Sequence, residues 1–304
     1  MARLGFITGD QACEEHGTGT CSYSDGTNTY TSKAFRDRES LLGDIVHSSP
    51  LFVGPPSTPY PDNIESVSYS SFVNSSAKDR QQIVYVGAND GVLHAFDTEN
   101  NGRELFAYVP SLLFSTGADQ GLHYLTDPTY IHKWYVDLSA TAADAYIGGW
   151  KTVLVGGLRG GGKGVFALDV TDPATFDAND ILWEFTHNDL GHTFSEVRIG
   201  KLNNGKWAAI FGNGYNNDPG GDGRAKLFIV YLDGTNLTNP VILDTGVDKT
   251  HPFLLGSVIS EACYSTDDVS YGSASLCPGG LAESHADGSA LPYDRNIGIV
   301  RTVC

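Results

Sequence analysis

The chain has 304 residues, 40% of them hydrophobic, with 36 Gly, 15 Tyr, 14 Phe and a single Met. That is room for one large all-β domain or two ordinary domains, and the glycine and aromatic content suits short strands and tight turns better than long helices. A formal charge of −17 excludes nucleic acid and anionic lipid as partners, because both need a basic face. It reads as a solvated acidic surface.

The opening "MARLGFITGD" has no apolar h-region, so no signal peptide is read there. Either the protein is cytosolic or this chain is a piece of a longer exported one. No apolar run reaches the length of a membrane span. Residues 11–40 are polar and read as a long loop. Within it, Cys13 and Cys21 flank "EEHGTGT", a loop short enough to be closed by a disulfide in an oxidising compartment; two unpaired thiols are the alternative. The other cysteines are Cys263, Cys277 and Cys304, and no C-x-x-C spacing occurs.

Further on, Ile45-Val46 and Leu51-Phe52-Val53 read as strand pieces, the second stopped by Pro55-Pro56. "NIESVSYSSFVNSSAKDR" suggests a short helix. Three hairpins follow. Val84–Val86 and Val92–Phe96 are joined by Asn89-Asp90-Gly91, residues that tolerate the positive φ of a tight turn. Val153–Val155 and Val165–Asp169 flank a glycine loop, and Ile210–Gly212 leads through a polar loop to Leu227–Asp233. The shared grammar is apolar triplet, Gly, turn, apolar run, Asp. Outer strands are read at "ELFAYVP" and "ILWEF".

These strands do not alternate apolar with polar, so both faces should be covered. The gaps inside each pair are too short for a crossover helix, which leaves antiparallel blades sandwiched between one another. The expected fold is all-β, a partial β-propeller of about three to four blades with long inserted loops. Residues 1–42 form a polar entry region, 43–247 the partial propeller, and 248–304 an irregular tail rich in Ser, Gly, Ala and Asp that should contribute little to the fold.

"RDRESLLGDIVHSSPLFVG", "VYVGANDGVLHAFD", "WKTVLVGGLRGGGKGVFALDVTDP" and "GKWAAIFGNGYNN", in this order, resemble the PilC/PilY family of type IV pilus biogenesis proteins and tip adhesins. The similarity runs from about Gly5 to about Gly246. It implies a quinoprotein-like propeller and an extracytoplasmic protein at the pilus tip, bacterial surface or periplasm. It further implies a non-catalytic role in pilus extension, adhesion and twitching motility, with pilins, pilus-tip components or host-surface molecules as partners. No cofactor is expected. Family members usually carry a D-x-D-x-D calcium loop in a later blade, and that loop is absent here. The competing reading is a fragment of a quinone-dependent dehydrogenase on the same propeller grammar, although the adjacent cysteines of some such enzymes are missing. After Ala95-Phe96-Asp97 and Ala167-Leu168-Asp169, Phe106 and Trp183 fall where quinoprotein-type propellers place a docking aromatic, and they read as glue between blades.

Other motifs carry less. "GLRGGGKG" nearly matches a phosphate loop, but Gly164 stands where a hydroxyl is needed and a strand follows where a helix should. "NNDPGGDG" offers Asn216, Asp218 and Asp222 as weak calcium candidates whose spacing does not fit an EF-hand; a solvated turn is favoured. His94 reads as a hydrogen-bonded core residue. No G-x-S-x-G nucleophile motif occurs, and no catalytic residue is assigned. Function is expected in the insertions at 112–142 and 215–224. Tyr124 and Tyr130 are the candidate partner-binding residues, with inter-blade packing as the competing role, strongest for Trp134 and Tyr135.

Overall fold

β-Branched and aromatic runs between Gly, Asn and Asp turns form strands close to where the pattern places them. The structure, a computed structural model, describes residues 2–24, 29–217 and 220–248. Three four-stranded antiparallel sheets follow one another along the chain, each a simple meander. The first comprises β3 (Leu51–Val53), β4 (Ile83–Gly87), β5 (Leu93–Asp97) and β6 (Arg103–Tyr108). The second comprises β7 (Thr141–Tyr146), β8 (Trp150–Gly157), β9 (Val165–Asp169) and β10 (Ile181–Phe185). The third comprises β11 (Arg198–Lys201), β12 (Trp207–Gly212), β13 (Arg224–Tyr231) and β14 (Val241–Asp248). The first strands touch one another, β3 against β7 and β7 against β11, so the sheets radiate from a common side as propeller blades do. The expected short helix is present as α2 (Tyr69–Val73), followed by a 3-10 turn over Ser76–Asp79.

The non-alternating strands of the middle blade have both faces covered. In the middle blade, Leu154, Phe166 and Leu168 join the core shared with the first blade. Their neighbours Val153, Val155, Val165 and Ala167 join the core shared with the third. Burying every residue of a strand requires cover on both faces, and each fully buried Val, Leu or Phe stabilises by about 1.5–3 kcal/mol.

Phe106 and Trp183 do lie between blades. Phe106 stacks on Phe176 of the second blade with ring centroids 4.0 Å apart, and the Trp183 indole donates to the Leu232 carbonyl at 3.2 Å, at the edge of the third. The recurrent aspartates close turns. Asp97, Asp169 and Asp233 accept from the backbone N–H two residues on, at 2.9, 3.0 and 3.1 Å. Each also bonds a side chain at or just before the start of the preceding strand: Gln81, Lys151 and Lys206 respectively.

Three readings need correction. Ile45 and Val46 are exposed and form no strand. The insertions are shorter than expected, because Thr141 and Ala142 open β7 and Arg224 opens β13. The first strands β7 and β11 were invisible to a search for apolar triplets, since neither "TAADAY" nor "RIGK" contains a run of large apolar residues.

The entry region is more ordered than a polar loop suggests. It contains α1 (Ala2–Ile7) and a hairpin of β1 (Tyr23–Ser24) with β2 (Thr29–Tyr30). Cys13 and Cys21 are disulfide-bonded. A buried Arg38–Glu14 pair at 2.6 Å ties the region together, with the Arg38 guanidinium stacked 3.6 Å above the Phe6 ring. The tail expected to be irregular lies, from residue 249 on, outside the described residues.

Candidate partner-binding cleft

The segment "RDRESLLGD" runs from the entry region across the turn of the first hairpin. Gly43 makes this crossing possible, since a Cβ there would lie 2.3 Å from the Asp90 nitrogen. The Gly43 N–H donates to Asp90 Oδ2 at 2.7 Å. Asp44 then locks onto Asn89, whose backbone N–H reaches the Asp44 carbonyl and whose side chain reaches Oδ2, both at 3.1 Å. On its other side Asn89 accepts the Tyr135 N–H at 3.1 Å. The Asn-Asp-Gly turn is therefore a clamp for two loops as well as a hairpin. Gly91, at φ 89°, also leaves room for Leu122, whose Cδ1 would lie 2.1 Å from any Cβ.

These loops enclose a cleft of about 420 Å³ between α1, residues 36–44 and residues 125–132. Arg36 lines its wall. Its Nε donates to the Leu125 carbonyl at 2.6 Å, and its guanidinium lies 4.6 Å from the centre of the Tyr130 ring. Among the described residues its Nη groups have no hydrogen-bond partner. Burial lowers the Arg36 pKa from its ordinary value, but a guanidinium keeps its charge. Burial raises the Tyr130 hydroxyl, which stays neutral. Leu41 and Leu42 form an apolar rim, 49% and 42% exposed. Beside the cleft, His132 bonds Asp44 at 3.0 Å, and the partly exposed Trp134 packs within about 5 Å of both His132 and His47.

Of the two tyrosines singled out in the sequence, Tyr124 is only 5% exposed, so an exposed contact role does not fit its ring. Its hydroxyl accepts the Ile131 N–H at 3.0 Å. Tyr130 is half-buried, and its hydroxyl accepts the Lys133 N–H at 3.0 Å. Both tyrosines thus shape the loop that presents Ile131, which is 72% exposed. Tyr135 is buried, as the packing alternative required. The residues that sequence reading missed are Arg36, Leu41 and Leu42. Their signal was an apolar pair inside an otherwise polar stretch, taken there as part of a motif.

Two of the three weak calcium candidates lie among the described residues. Asp222 pairs with Lys226 at 2.8 Å and accepts the Arg224 N–H; Asn216 adopts a positive φ of 60°; Asp218 lies outside the described residues. The glycine loop near a phosphate-loop match contains one 3-10 turn, Arg159–Gly161, and enters β9 without a helix. Among the described residues no helix is long and apolar enough to cross a membrane.

The family described as the PilY1 beta-propeller domain matches residues 42–250. The chain is 47% identical over 248 residues to the type IV pilus biogenesis factor PilY1 of Pseudomonas aeruginosa strain PAO1, covering 78% of this chain and 19% of that protein. It is 41% identical over 231 residues to a PilY1 homolog of Xylella fastidiosa, covering 72% of this chain and 15% of that protein. The crystal structure of the Pseudomonas aeruginosa PilY1 C-terminal domain aligns with a TM-score of 0.49 and 42% identity, over 64% of this chain and 38% of that one. The chain thus spans less than a fifth of the length of these curated relatives. With the match running from Leu42 through all three blades, the chain belongs to the PilY1 β-propeller domain family.

Proposed function

We propose that this chain is the propeller portion of an extracytoplasmic type IV pilus biogenesis protein, acting in pilus assembly and adhesion by binding and not by catalysis. The observation that carries this reading is the 41–47% identity, over most of the chain, to relatives named as type IV pilus biogenesis factors. The blades are committed to packing, so the binding surface is the cleft above the first hairpin. A guanidinium held against Tyr130 beside two exposed leucines suits an amphipathic protein segment, one that places a carboxylate or carbonyl next to apolar side chains. A pilin or pilus-tip component is the partner of that chemistry.

The test replaces the rim in the full-length parent, as Leu41→Asp with Leu42→Asp, and separately Arg36→Ala. Loss of surface pili with an unchanged unfolding temperature supports the cleft as the partner site. Normal piliation in both variants removes it. A quinone-dependent dehydrogenase would be revealed by turnover of an alcohol with added pyrroloquinoline quinone, calcium and a redox dye; no turnover is expected.

A further inference from the structure

The entry region brings three metal-ligating groups together, one of them Asp37 at the edge of the cleft. The Cys13–Cys21 disulfide closes a loop that carries Glu15 and His16. That loop is pinned beside the segment carrying Asp37: Phe35 donates to the Cys13 carbonyl at 3.0 Å, and Glu15 donates back to the Phe35 carbonyl at 2.9 Å. His16 closes the arrangement, its backbone N–H donating to Asp37 Oδ1 at 2.8 Å while its Nδ1 meets Asp37 Oδ2. With one carboxylate oxygen of Glu15, the three ligand atoms lie within 4.8 Å of one another.

The geometry points to a surface site for a zinc-class divalent transition ion, bound by His16 Nδ1, Asp37 and Glu15. Ligands on one zinc lie about 2.0–2.2 Å from the ion, so His16 Nδ1 and Asp37 Oδ2 move apart to admit it while Glu15 closes in, adjustments open to exposed side chains. An imidazole nitrogen with two carboxylates favours zinc, copper or nickel over calcium and magnesium, which take oxygen ligands. The backbone is held by the disulfide and three hydrogen bonds before the ion arrives, so little ordering entropy opposes binding. The ion takes the place of the proton shared by His16 and Asp37. Water completes the coordination, because the site faces solvent: the His16 side chain is 80% exposed. The inference is independent of the pilus reading.

The experiment titrates zinc into the chelator-stripped chain carrying C263S, C277S and C304S, so that free thiols do not compete, and follows the His16 imidazole signals by NMR. Expected is a saturable shift complete near one equivalent, undisturbed by a hundredfold excess of calcium. H16A and D37N should each weaken zinc binding at least tenfold. Both residues are solvent-facing, and circular dichroism checks that the variants fold. Opening the loop with C13S and C21S should weaken binding as well. If the His16 signals stay in place while other histidines shift, or if H16A binds zinc as tightly as its parent, the site does not exist.

Discussion

His94 shows how one residue can fasten a hairpin. It lies in β5 with Nδ1 2.6 Å from Glu104 of β6 and Nε2 3.1 Å from Asp90 of the turn. Burial by itself lowers its pKa, but the hydrogen bonds and charges of Asp90 and Glu104 outweigh burial and leave it raised above 6.5. A raised folded pKa means that this stabilisation is complete below about pH 6.5, the ordinary histidine value, and is lost as pH climbs through the folded value. The difference in melting temperature between the parent and His94→Gln should therefore be largest near pH 6 and shrink toward pH 9. A constant difference across that range would show that the imidazolium contributes nothing. The aspartates that end the third strands differ in burial, and their substitutions should differ too. The Asp169 side chain is 8% exposed and that of Asp233 29%. Asp169→Ala removes a buried charge-assisted bond and should cost about 2–3 kcal/mol. Asp233→Ala, at a wetter pair, should cost about 1 kcal/mol or less. Urea denaturation of the two variants decides between this ranking and equal costs.

Among the elements, the second and third strands of each blade were legible because they are continuous apolar runs, which survive any choice of period. Of the first strands, β3 was legible as Leu51-Phe52-Val53, while β7 and β11 were not. Ala143, Ala145 and Gly200 are small residues, and small residues carry no strand signal. The cleft was half legible. Tyr124 and Tyr130 stood out as aromatics, yet their role follows from hydroxyl bonds to Ile131 and Lys133, which no spacing announces. Arg36 and the leucine rim needed the crossing at Gly43 to bring them to the surface. Trp183 was legible as glue, and its two contributions can be separated. Trp183→Phe keeps a ring between the blades and loses the bond to the Leu232 carbonyl, for about 1 kcal/mol. Trp183→Ala opens a cavity between the second and third blades and should cost about 3–5 kcal/mol. Similar losses for both would mean that the hydrogen bond, not the ring, holds the blades.

At the scale of the whole molecule, the third sheet has a face with no neighbour among the described residues. Leu227 pairs with Leu243 and Ile229 with Val241, so all four side chains share that face. Leu243 is 51% and Val241 38% exposed. In a continuing propeller the next blade covers such a face; among the described residues nothing covers it, which predicts association with a second copy of the chain. Sedimentation velocity should show concentration-dependent association, and Leu243→Asp should shift the chain toward monomer. A strictly monomeric parent at high concentration would refute this.

The meander of each blade also bears on the order in which the chain can fold. Among the described residues each blade is a sheet of four consecutive strands, and none borrows a strand from another blade. A chain emerging from its N-terminus can therefore settle the register of the first sheet once Tyr108 is out, before any of the second exists. Burial of that sheet's second face must wait, because Leu154, Phe166 and Leu168 arrive with the next. Pairing is decided locally and early, while stability is conferred by the neighbour that follows. During synthesis or export, the last blade to emerge is always the one left exposed.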